Sequence, residues 1–89
     1  MASRAFTSNE QFFQAVRDLI VRLKAGDHQQ AAAELQTGFG CLNGLTDGAA
    51  LFLESIERVQ ASWGDRIAPE DRLALEAIRA AVHRAVYRR

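Results

Sequence analysis

Apolar residues recur every three or four positions along almost the whole chain, and the pattern breaks only near Gly26, Gly44 and Gly64. That spacing places side chains on one face of an α-helix. Strands have no comparable support. Val and Ile do not alternate with polar residues over a useful length, and the Asn43-Gly44 and Asp47-Gly48 pairs separate helical segments instead of closing hairpins. The chain is therefore expected to be all-α.

The first helix is predicted over residues 8–25. Thr7 with Glu10, or Ser8 with Gln11, forms a capping box, and Phe12, Val16, Leu19, Ile20 and Leu23 form the inner stripe. Gly26 stops it, with Lys24 near the negative end of the helix dipole. A second helix over 28–42 starts from Asp27 as cap, with Gln30 three residues on, and buries Ala32, Leu35, Phe39 and Leu42. Gly38 and Gly40 weaken it by about 1 kcal/mol each relative to alanine, which implies close backbone approach or fraying. A third helix over 47–63, capped by Thr46 or Asp47, presents Ala49, Phe52, Leu53, Ile56, Val59 and Trp63.

The loop at 65–68 leads to Pro69, which suits a first helical turn because its missing N–H is not needed there. The fourth helix runs over 69–88, with Glu70 and Asp71 at its positive end and Arg84, Arg88 and Arg89 at its negative end. Its stripe is Leu75, Ile78, Val82 and Val86. Short connections force successive helices antiparallel. The expectation is a single domain over 1–89, a four-helix antiparallel arrangement of two helical hairpins, with 1–6 as a flexible N-terminal segment.

The turn reads Ala25-Gly26-Asp27-His28-Gln29-Gln30-Ala31, followed by Leu35. Gly26, Ala31 and Leu35 resemble the middle of a tetratricopeptide-type helical hairpin: a turn glycine, a small residue on the next helix, a large apolar residue one turn later. The resemblance covers residues 12–42. Asp18 and Arg22 depart from it, standing where that repeat places larger or aromatic residues, and no proline closes the hairpin near Asn43. The same turn is similar to small bacterial helical chaperones of the flagellar-export kind. Both resemblances imply protein binding through helical surfaces and no catalysis.

Composition narrows the function classes. With 89 residues, folding buries roughly 63% of the chain's surface, a modest core that a partner or second copy would help. The 48% apolar and 25% charged fractions argue for a folded chain. Net charge is zero, so no global field attracts nucleic acid or an anionic membrane, and little repulsion keeps copies apart. The first residues lack the apolar core of a secretory signal, no apolar run approaches a membrane span, and Cys41 is the single cysteine. The resulting expectation is a cytoplasmic protein.

Chemistry-bearing residues are sparse. His28, His83 and Cys41 do not make the four-ligand cluster of a zinc site, and no cofactor or metal is expected. Arg79, His83 and Tyr87 fall one turn apart without a nucleophile or an orienting carboxylate, so no enzyme is expected. Arg79, Arg84, Arg88 and Arg89 form a basic end to the last helix, the basis of an alternative reading as a nucleic-acid-associated regulator.

The leading expectation is an interaction module that forms a homodimer or docks a helical partner. Phe12 and Phe13 point about 100° apart on a helix, a wide arc for one seam, and Phe6 lies just ahead of them. Leu51 and Leu73 fall off the inner stripes. Phe12, Phe13, Leu51 and Leu73 are accordingly the candidate partner-binding residues.

Overall fold

The computed structural model describes residues 8–42 and 48–87. The expected flexible segment 1–6, the cap at Thr46 or Asp47, and Phe6, Arg88 and Arg89 lie outside the described residues. Four helices form among the described residues: α1 (Asn9–Ala25), α2 (Gln29–Gly40), α3 (Gly48–Trp63) and α4 (Pro69–Tyr87). No strand occurs among the described residues.

Ser8 caps α1 from an extended conformation, its Oγ accepting the Gln11 N–H at 3.1 Å. The other end of α1 departs from expectation. Gly26 has an ordinary negative φ of −87°, and Asp27 takes the left-handed conformation at φ 71°. The His28 N–H reaches Leu23 O at 2.8 Å and the Asp27 N–H reaches Lys24 O at 3.2 Å, the paired bonds of a Schellman ending. Asp27 thus closes α1 and does not cap α2. His28 stands at that cap with no side-chain hydrogen bond to the helix. Asp tolerates this backbone region better than most residues with a Cβ, but glycine does so without strain. Replacing Asp27 with glycine is therefore expected to raise stability by about 0.5–1 kcal/mol in urea unfolding. A loss instead would show that the Asp27 side chain stabilises the turn.

The helices close into a ring: α1 packs on α2, α2 on α3, α3 on α4, and α4 back on α1. Side-chain pairs fix the antiparallel sense. Glu34 meets Arg58 and Gly38 meets Ser55 across α2 and α3, while Gln60 meets Glu76 across α3 and α4. On the remaining seam Arg22 Nε donates to Asp71 Oδ1 at 2.7 Å, joining the end of α1 to the start of α4. Inside the ring lie Val16, Leu19, Leu23, Leu35, Phe52, Ile56, Val59, Leu75, Ile78 and Val82, with Phe39 partly buried against them. These residues carry the inner stripes of their helices, so amphipathic periodicity accounts for this helical part of the core.

The two α2 glycines play different parts. A Cβ built on Gly38 would lie 2.6 Å from Ser55 Cβ and closer still to Ser55 Oγ. The α2 and α3 backbones therefore approach at this point as only glycine permits. Gly40 has open space around it and ends the helix two residues before the expected boundary at 42. The Cys41 and Leu42 N–H groups bond to Gly38 O and Phe39 O, both at 3.0 Å, tightening the last turn to i→i+3 spacing.

Candidate interaction surface

After Trp63 the chain turns tightly. The Gly64 N–H bonds Gln60 O at 3.0 Å, and the Arg66 and Ile67 N–H groups both bond Trp63 O, at 2.8 and 3.2 Å. Ile67 then inserts into the core at 3% exposure and pins the turn. The Arg72 N–H to Ala68 O bond, 2.9 Å, starts α4 immediately afterwards. The end of α3, the turn and the first turns of α4 border a concavity at this corner. Between them lies an open groove of about 620 Å³.

Pro69, Leu73, Leu75 and Gly64 supply its apolar lining. Leu75 belongs to the core, whereas Leu73 is 63% exposed. On one wall Glu76 is fully engaged: it accepts from Gln60 Nε2 at 3.0 Å and from Arg79 Nε and Nη2 at 3.0 and 2.8 Å. The Arg79 guanidinium holds the Glu76 carboxyl below its usual range, and Glu76 in turn raises Arg79. Asp65 and Arg72 also line the groove, both exposed, and neither has an ion-pair partner among the described residues. A second hollow of about 440 Å³, where α2 starts, is lined mainly by the polar residues Asp27, His28, Gln29, Gln30 and Arg66 beside Trp63, and offers little apolar surface.

The four residues singled out in the sequence are not gathered into one patch. Phe12 and Phe13 are both half-buried and belong to a circuit of rings. Phe12 lies 5.7 Å from Phe13 and 6.4 Å from Phe52, and Phe39 lies 5.8 Å from both Phe13 and Phe52, between ring centroids. Each of the adjacent phenylalanines thus meets a ring of α2 or α3 while part of it stays exposed. Leu51 is 45% exposed, at the start of α3, whereas Leu73 lies against the end of that helix. Val21 and Tyr87 are further exposed apolar residues.

The basic residues of α4 are likewise divided. Arg79 is committed to Glu76, and Arg84 is exposed. His83 and Tyr87 stack on each other at the surface with ring centroids 4.5 Å apart. Cys41 is partly buried, its thiol 3.6 Å from Thr37 O. Among the described residues no group of three or more His, Cys, Asp or Glu is placed to hold a metal ion, and no helix is long and apolar enough to cross a membrane. Sequence reasoning marked Leu73 because it falls off the α4 stripe. It missed the groove beside it, which forms only where Gln60, Gly64 and Asp65 come together with the start of α4. The chain matches no protein-family model, no curated protein and no solved structure.

Proposed function

We propose that this chain is a protein-interaction module that docks an apolar protein segment in the groove between α3 and α4. The observation that carries the reading is Leu73, a large apolar side chain left 63% exposed on the wall of an apolar concavity. Fully burying a leucine is worth about 1.5–3 kcal/mol, and a concave site collects that gain together with contacts from its walls. The module performs no catalysis and works in the cytoplasm, where a lone thiol such as Cys41 stays reduced. A nucleic-acid role has less support, since Arg79 is already engaged by Glu76 and the chain carries no net charge.

Photo-cross-linking in expressing cells tests this reading. A photoreactive phenylalanine analogue at position 73 should yield discrete adducts, with one or a few proteins or with the chain itself. The same group in place of Glu54, exposed on the outer face of α3, should not. If position 73 gives no adduct, or only the smear seen from position 54, the reading is wrong.

A further inference from the structure

We infer that the occupant of this groove is a second copy of the chain, in a two-fold dimer where Asp65 of each protomer faces the partner's Arg72. The inference rests on the docking role proposed for the groove and names its partner. Of the charged groups lining the groove, Glu76 has its carboxylate satisfied by Arg79 and Gln60. Asp65 and Arg72 remain, one acid and one base, both exposed and both without an ion-pair partner among the described residues.

A two-fold axis makes every interface self-complementary: whatever residue i meets, its symmetry mate meets in return. A groove holding one unpartnered acid and one unpartnered base beside an exposed leucine meets that condition unaided. Two such grooves face to face form two ion pairs around a pair of Leu73 side chains. A partner of strong net charge would satisfy one of the two groups and oppose the other. Zero net charge leaves no long-range repulsion against the second copy.

Charge exchange tests the pairing directly. The full chain is followed by analytical ultracentrifugation over a concentration series at low salt. Wild type should dimerise. Asp65→Arg alone and Arg72→Asp alone should each weaken association at least tenfold, because each places like charges opposite one another. An equimolar mixture of these two variants should associate again, since one then presents two bases to the other's two acids. The neutral variants Asp65→Asn and Arg72→Gln should each weaken association less than the reversals, and their equimolar mixture should recover only in part, since the mixed dimer restores one of the two ion pairs. Both residues are exposed and unpaired, and circular dichroism should show unchanged helicity throughout.

A wild-type chain that stays monomeric at high micromolar concentration overturns the inference, as does a dimer indifferent to the charge exchanges or a mixture that shows no recovery. These results leave intact any adduct that position 73 forms with a different protein. Absence of adducts from position 73 overturns the docking role itself.

Discussion

Replacing Phe52 with alanine is expected to destabilise the fold by about 3–5 kcal/mol, the range for deleting a fully buried phenylalanine. Phe52 is completely buried, and its ring closes the circuit through Phe12 and Phe39. Its removal costs the transfer of the ring out of the core and leaves a cavity. It also breaks two aromatic contacts of about 0.5–1.5 kcal/mol each, already within the observed range for such deletions. Whole domains are held by about 5–15 kcal/mol, and a chain this short sits toward the lower part. The variant should therefore lose a large fraction of its urea midpoint, or be partly unfolded at room temperature. A loss below about 2 kcal/mol would mean that Phe12, Phe13 and Phe39 close over the gap and that the circuit is less rigid than its geometry implies.

Substitution of Gly38 by alanine is expected to be the second largest effect, and its sign is the informative part. Alanine in a helix interior gains about 1 kcal/mol over glycine from propensity. At position 38 the new methyl would meet Ser55 Cβ at 2.6 Å and Phe52 Cδ1 at 3.1 Å, well inside the roughly 3.5–4.0 Å of a favourable carbon contact. Overpacking of this kind costs about 1–3 kcal/mol. Because α3 is also held by α4 and the Glu34–Arg58 ion pair, it cannot retreat freely. Overpacking should win, with a net loss of up to about 2 kcal/mol by chemical unfolding. Gly40→Ala, two residues on and facing open space, should instead be neutral or stabilising by about 0.5 kcal/mol. If both variants moved in the same direction, the close approach of α2 and α3 would be in error.

These two glycines show where sequence reading stops. Their shared penalty was visible, and close approach and fraying were both foreseeable; which glycine did which depended on the facing residue, and Ser55 is 17 positions away from Gly38. The stripes of Leu19, Leu23, Ile56 and Ile78 were legible because periodicity is a local property that burial follows. Ile67 was not, since one isoleucine among Asp65, Arg66 and Ala68 has no period to declare it. Asp71 read only as an acid at the positive end of α4; it is 8% exposed because α4 returns to α1, where it meets Arg22. At the turn, Gly26 read as the stop of the first helix and Asp27 as the cap of the second; the backbone instead gives Asp27 the left-handed conformation that closes α1. For the candidate surface, Leu73 and Leu51 were recognisable as off-stripe, whereas the ring contacts of Phe12 and Phe13 with Phe52 and Phe39 exist only once α2 and α3 are in place.

The ion pair between Arg22 and Asp71 spans 49 residues, against 24 for Glu34 with Arg58 and 16 for Gln60 with Glu76. Loop-closure entropy grows only logarithmically, so the longest of these connections adds about 0.6 kcal/mol over the next. The ring can therefore assemble by zipping each helix onto the one before it, and the last seam closes at almost no topological cost. Helical chains with contacts this local fold within microseconds to milliseconds. The fold leaves little time in which an unpaired amphipathic helix stands exposed to other molecules, a kinetic protection for a small neutral chain that has little charge repulsion to keep its copies apart.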